Sequence, residues 1–342
     1  MSFAGPDSSR ILEVGMGFWP SKTLLSAVEL RLFTVLADGP MTAEQIADRL
    51  GLHPRPIYDF LDGLVAMRFL ERDGDGPGGQ YRNTRDTAEF LDANKPTYIG
   101  GLLEMLNSRL YGFWGDLTEA LQTGKPQNEV KHSGTALFEE LYSDPDRLEQ
   151  FMHAMAGISL DSSRALAERF DFSDYRTVCD VGGATGQLSM IIAERHPHLS
   201  CTSFDLPIVV PIAEKAIAAA GLSDRVKAAA GDFFVDPLPS ADVITMARVL
   251  HDWNLDQKMQ LIRAAYDALP DGGALITVES LIDDARREHV AGLMMSLNML
   301  IEIGDAFDYS AADFAGWCRA VGFRDINVLP LTGIISAAVA YK

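Results

Sequence analysis

"VCDVGGATGQLSM", residues 178–190, decides how the second half of this chain folds. Val178, Cys179 and Val181 form the apolar run of a short strand, Gly182, Gly183 and Gly186 make a turn, and Leu188 begins a helix. Glycines remove side chains where the chain turns and let a ligand lie against the backbone. The spacing is not the dinucleotide fingerprint G-x-G-x-x-G, which from Gly182 would require glycines at Ala184 and Gln187. It is instead an acid, Asp180, followed by Gly182, three residues and Gly186.

Working outward, "LSCTSFDL", "RVKAAAGDFF", "ADVITMARV", "GGALITVESL", "INVLPL" and "IISAAVAYK" are further short runs rich in Val, Ile and Thr. Helical segments at 188–195, 210–220 and 256–269 separate them. Strands alternating with helices predict a mostly parallel, doubly wound sheet, whose ligands bind outside the carboxyl ends of the strands. Asp205 ends the second strand, nineteen residues after Gly186, where a carboxylate suits a ribose diol. In "GDFF", Asp232 suits an exocyclic amine and Phe233 a purine face. One such aspartate alone is a helix cap or turn former; three at successive strand ends point to a nucleoside site.

The first 95 residues follow another pattern. "MTAEQIADRLGL" opens with Thr42 and Gln45 in capping-box spacing, and "HPRPIYDFLDGLVAMRFL" is a second amphipathic helix. "FLER" and "YRNT" flank the turn-rich "DGDGPGGQ", as in a hairpin, so the pattern is a winged helix. A helix that reads DNA needs a basic face. Here Arg55, Arg68 and Arg72 are balanced by Asp59, Asp62 and Glu71, which favours a platform that packs on a second copy of itself. Residues 97–170 read as mostly helical and rich in Met, Phe, Tyr and Trp, either core or the roof of a cleft.

"MARVLHDWN", residues 246–254, ends a buried-looking strand with His251, Asp252 and Trp253. A lone histidine is more often a satisfied surface or core residue. At this edge, beside the nucleoside site, it reads as a general base, since an imidazole titrating near pH 6.5 can take a proton from a phenol whose pKa is about 10.

In these motifs the chain resembles the S-adenosylmethionine-dependent methyltransferases, and more narrowly the plant-type small-molecule O-methyltransferases. That family includes caffeate and acetylserotonin methyltransferases and bacterial antibiotic-tailoring enzymes. The resemblance runs from the winged domain through "FMHAMAGIS", "DVGGATG", "FDLP", "GDFF", "RVLHDW" and "GGALITVES" to "SAADFAGWCRAVGF". It implies a Rossmann-like methyltransferase sheet, with residues 1–95 as a winged-helix dimerisation domain, 96–342 as the methyltransferase domain and a homodimer of secondary metabolism. Asp180, Gly182, Gly183, Asp205, Leu206, Asp232 and Phe233 would hold S-adenosylmethionine, with S-adenosylhomocysteine left as product. Met155 and Ser159 match positions near its methionine part. His251 matches the catalytic base, Asp252 a residue beside the substrate, and Glu279 a carboxylate that orients the histidine. Asp308 stands where the family commonly has glutamate, one methylene shorter, so its reach to His251 is open. Ala184 replaces a frequent third glycine, and Ala247, with Arg248 adjacent, replaces a cofactor-contacting lysine.

Phe113, Trp114, Trp253, Met295, Asn298 and Met299 would suit a flat aromatic or polyketide-like acceptor, or could simply be core. Carbon or nitrogen acceptors stay open, and a ligand-sensing regulator is disfavoured. No metal is expected, because no tight His/Cys/Asp spacing occurs and Asn298 is a poor ligand. His153 and His289 have weaker claims than His251, the second expected to be solvated. The net charge of −19 argues against nucleic acid and anionic membranes. No run is apolar enough to span a bilayer, and no signal peptide opens the sequence. Cys179, Cys201 and Cys318 read as reduced core thiols of a cytoplasmic protein.

Overall fold

A computed structural model describes residues 6–95, 97–133, 142 and 145–342, so part of the expected helical stretch, 134–141 and 143–144, lies outside the described residues. The contacts divide into two compact units, Met1–Gly112 and Phe113–Lys342.

In the first unit the expected capping box forms: the Gln45 amide donates to Thr42 Oγ1 and the Thr42 amide to Gln45 Oε1, starting the Ala43–Leu50 helix. The Ile57–Ala66 helix follows, then a hairpin of β2 (Leu70–Asp73) and β3 (Gln80–Asn83), to which β1 (Met41–Thr42) adds a third antiparallel strand. Leu32, Phe33, Ile46, Leu61, Leu64, Leu70 and Tyr81 make the core. The arginines here are taken up locally. Arg72 lies 2.6 Å from Asp62, which also accepts from the Tyr81 hydroxyl, and Arg82 lies 2.7 Å from Glu71.

The second unit is built on seven strands. These are β4 (Thr177–Val181), β5 (Ser200–Asp205), β6 (Val226–Ala230), β7 (Val243–Ala247), β8 (Ala274–Glu279), β9 (Asp325–Thr332) and β10 (Ile335–Tyr341), arranged in the order β6-β5-β4-β7-β8-β10-β9. The pairs among β4 to β8 are parallel, and β10 closes the edge antiparallel to β8 and β9. Alternation along each strand splits the core in two. Val178, Val243 and Ile276 pack with Leu166 and Ile192 on one face, and Cys179, Ile244 and Leu275 pack with Leu261, Phe314 and Cys318 on the other. Every residue of β8 is buried, as a parallel strand covered on both faces requires. The three cysteines are free and buried, and burial pushes the Cys179 and Cys201 thiols up to about 12. Residues 113–133 pack along the Val290–Glu302 helix, where the Gln127 amide donates to the Ile301 carbonyl at 2.8 Å and the Asn128 amide to that of Glu302.

Within the sheet, the Thr245 hydroxyl donates to Asp180 Oδ1 at 2.7 Å. Burial pushes this carboxyl up to about 7, with the Thr245 bond opposing. A folded pKa raised above the unfolded value means that stability falls as pH climbs from about 4 through 7. Thr245→Val therefore destabilises the protein by about 1–3 kcal/mol, more at pH 8, where the unsupported carboxylate must ionise, than at pH 5. Urea unfolding at both pH values reads this, and an equal deficit at each would remove the charge of Asp180 from the explanation.

Candidate active site

Strand register brings the candidate residues to one edge. Val181 pairs with Phe204, Asp205 with Ala230, and Ala247 with Val278, so Gly182, Asp205, Gly231, Arg248 and Glu279 emerge together at the carboxyl ends. From β4 the chain adds β5 and β6 on one side and β7 and β8 on the other. The crevice at such a reversal is where doubly wound sheets bind ligands.

The glycine loop is tight. Gly182 and Gly186 have φ of +70° and +75°, and Ala184 adopts +49° without being glycine. A Cβ on Gly183 would stand 2.2 Å from Ser203 Oγ, and one on Gly182 would stand 2.8 Å from Val249 Cγ2. The left-handed conformation of Ala184, which costs about 1–2 kcal/mol, is held by its amide, which donates to Asp205 Oδ2 at 2.8 Å. The Leu206 amide donates to Asp205 Oδ1 at 2.7 Å. Burial raises this carboxyl, and the two amides oppose it. Each oxygen keeps a further lone pair for a ligand hydroxyl.

Beyond β6, Asp232 Oδ1 accepts from the Phe234 amide at 2.9 Å. Phe233 meets Phe234 edge-on at 4.9 Å and Trp253 at 5.8 Å, while Trp253 meets Phe234 at 4.6 Å. Trp253 thus belongs to an aromatic trio beside the loop, and its buried indole N–H has no partner. Asp180 sits inside the sheet, on Thr245. Met155 and Ser159 are half-buried on the Pro145–Arg169 helix. Leu148 and Met152 of that helix cluster with Val209, Leu206, Ala184 and Tyr142. Burial pushes the Tyr142 phenol up to about 12, with Asp205, Asp252 and Asp232 all within electrostatic reach. Sequence reasoning missed this tyrosine because, in an aromatic-rich helical stretch, it reads as core.

His251 lies on the one-turn Leu250–Asp252 helix just past β7 and is 7% exposed. The Arg248 amide donates to the Val278 carbonyl at 3.1 Å, which prolongs the β7–β8 ladder and lays the turn beside Glu279. His251 Nδ1 stands 3.5 Å from Asp308 Oδ1 and 3.9 Å from Glu279 Oε2, and Nε2 stands 3.4 Å from Asp252 Oδ1. The shorter aspartate at 308 therefore does reach the imidazole. Its amide donates to Ser296 Oγ at 3.2 Å, and the neighbouring Tyr309 carbonyl accepts from the Ile282 amide at 3.0 Å. Burial alone would lower the imidazole pKa; Glu279, Asp252 and Asp308 outweigh it and push it up to about 10. Burial pushes Glu279 up to about 7. Carboxylates and imidazole thus share protons as one cluster.

Ligand atoms of His251, Glu279 and Asp308 lie within 4.8 Å of one another, a grouping that geometry alone would allow a metal to use. Sequence spacing hides it, because the three residues are far apart in the chain. Of the expected acceptor residues, Trp114 Nε1 donates to Asn298 Oδ1 at 2.9 Å. Phe113 and Met295 are half-buried, and Met299 is buried on the same helix as Asn298. His289, expected to be solvated, is half-buried; its amide donates to Asp283 and its Nδ1 is buried without a partner. The side chain of His153 lies outside the described residues.

An O-methyltransferase domain family matches residues 114–324 and an O-methyltransferase dimerisation domain family residues 12–92. The chain is 38% identical over 332 residues to a tetracenomycin polyketide synthesis 8-O-methyl transferase of Streptomyces glaucescens, covering 97% of this chain and 96% of that protein. It is also 38% identical over 314 residues to an N,N-dimethyltransferase of Streptomyces rimosus, covering 92% and 90%. The crystal structure of human N-acetylserotonin methyltransferase in complex with S-adenosylmethionine superposes with a TM-score of 0.89 at 30% identity, covering 100% of this chain and 99% of that one. With its glycine loop, strand-end acids and dimerisation domain, the chain belongs to the S-adenosylmethionine-dependent O-methyltransferase family.

Proposed function

We propose that this enzyme methylates a hydroxyl of a flat aromatic or polyketide-like acceptor, with His251 as general base. The observation that carries the reading is a buried imidazole, backed by two carboxylates on its Nδ1 side, at the sheet edge that also bears the glycine loop.

Bound S-adenosylmethionine supplies an activated sulfonium methyl. The residues present fit it: the loop has no room for a Cβ at Gly183, and the Asp205 oxygens each retain an acceptor site. Gly182 and Gly183 would offer backbone, Asp205 the grip on the ribose, Asp232 and Phe233 the purine contacts, with Leu206, Arg248, Met155 and Ser159 around them. Asp180 would act from beneath the loop, and Tyr142 would close the site near Asp205.

A phenol of pKa about 10 is mostly protonated at neutral pH. An imidazole raised to about 10 matches it, which makes the proton transfer nearly thermoneutral. Glu279 and Asp308 would hold the proton on Nδ1 and stabilise the imidazolium, leaving Nε2 for the acceptor. An indole N–H can only donate, so Trp114 fixes the Asn298 oxygen toward itself and leaves the amide NH2 for an acceptor oxygen. The polyketide relative supports a polycyclic aromatic acceptor, while the N,N-dimethyltransferase relative supports an amine as the second reading.

A homodimer fits the first unit. The Ser9–Gly15 helix buries none of its residues, leaving Ile11 74%, Leu12 54% and Val14 64% exposed, and Phe18 and Trp19 continue the apolar stripe. A contiguous apolar patch of this kind marks a contact surface.

His251→Ala lowers kcat by about 10²–10⁴-fold on a phenolic acceptor and leaves S-adenosylhomocysteine binding intact. The wild-type rate climbs from pH 7 towards 10, because only the neutral imidazole accepts a proton. A variant that keeps its rate would end the base assignment, and with an amine acceptor it would favour the second reading. Calorimetry with S-adenosylhomocysteine should find Asp205→Ala about tenfold weaker or worse, from two lost hydrogen bonds of about 1 kcal/mol each; equal affinity would displace the ribose from that carboxylate. Light scattering should find the Leu12→Asp/Val14→Asp double variant monomeric, and an unchanged mass would move the interface elsewhere.

A further inference from the structure

Lys258 is buried with no exposed surface on the Leu255–Ala268 helix, an unusual setting for an ammonium. Its Nζ donates to the Trp253 carbonyl oxygen, the residue that follows the His251 turn. The same atom stands 3.7 Å from the centroid of the Phe307 ring, directly before Asp308, and 5.9 Å from that of Tyr309, directly after it. One ammonium thereby ties the segment carrying His251 to the segment carrying Asp308. A second tie runs parallel to it, with Asn254 Nδ2 donating to Asp305 Oδ2 at 2.9 Å.

The charge matters as well as the geometry. Burial lowers the Lys258 pKa to about 8, against the opposing pull of Glu279, Asp308, Asp252 and Asp305. The charged groups around the cluster therefore come from each neighbouring element: Asp252 and His251 from the turn, Glu279 from the end of β8, Asp305 and Asp308 from the loop beyond the Val290–Glu302 helix, and Arg248 from the end of β7. Phe307 offers the ammonium a ring face where a carboxylate would neutralise it outright, so the charge remains available to the cluster.

We propose that Lys258 is a positioning residue for His251: its ammonium pins the His251 turn against the Asp308 segment and supplies a cation to the buried carboxylates around the imidazole. Its consequence for the rate rests on the general-base reading of His251. Its consequence for the imidazole does not. Without the ammonium, the carboxylates hold the His251 proton more tightly, so the neutral base appears only at higher pH.

The test uses the full chain, with the pH titration of the His251 imidazole followed by nitrogen NMR and assigned by its loss in His251→Ala. In Lys258→Met the imidazole titration and the rising limb of kcat both move up by about one pH unit. At pH 7.5 kcat then falls about tenfold while KM and S-adenosylhomocysteine affinity hold. Lys258→Arg, which keeps the cation, restores both. The proposal is overturned if Lys258→Met only lowers the melting temperature and leaves titration and pH profile where they were. Should Lys258→Met fail to fold, Phe307→Leu removes only the ring beneath Nζ; it must lower kcat without raising KM, and an unchanged kcat overturns the proposal. Because titration is read on the imidazole itself, a fully active His251→Ala would sink the base assignment alone.

Discussion

The second unit depends on holding an imidazole and three carboxylates out of water in one place. Glu279 and Asp308 are 1% exposed and His251 7%, yet each comes from a different element. An isolated ion at such a site costs several kcal/mol after relaxation, so the charges are tolerable only together. The sheet supplies that precision. The β7–β8 ladder, prolonged by the Arg248 amide, fixes the His251 turn beside Glu279, and the Ile282 amide bonded to the Tyr309 carbonyl fixes Asp308 on the other side.

The same edge explains why the loop after β4 tolerates a non-glycine with positive φ. Ala184 is strained, but its amide is one of two that Asp205 accepts, so loop and carboxylate fix each other. The carboxylate expected to grip a ribose is therefore also the strut of the loop. Binding and local folding are not separable at this residue, because a ligand hydroxyl adds to oxygens that are already engaged.

Where chemistry sits next to a strand end, the sequence was readable. Gly182, Gly186, Asp205, Asp232 and His251 each follow an apolar run by a residue or a few, and one parallel sheet brings them to one edge. The doubly wound order and the winged first unit follow from the same local periodicities. What stayed hidden is nonlocal. The reach of Asp308 to the imidazole depends on a loop pinned by Ser296 and Ile282, which no spacing encodes. Trp253, expected to face an acceptor, is packed edge-on with Phe233 and Phe234, because an aromatic beside a cleft carries no sign of which side it serves. Lys258 falls in a helix whose polar residues ordinarily face water, and only its hydrogen bond to a carbonyl five residues back draws it inside.

These features also bear on how basic the imidazole can be. Carboxylates alone would keep raising its pKa, and a base that never releases its proton near neutrality is no base at all. Burial pulls the other way, as do the nearby cations Lys258 and Arg248, the latter already counted among the groups that lower Glu279 and Asp252. An imidazole near the pKa of a phenol is the balance of these opposing fields. Replacing any one carboxylate with its amide should therefore shift that balance more than it loosens the fold, since the backbone contacts that hold His251, Glu279 and Asp308 in place do not involve their charges.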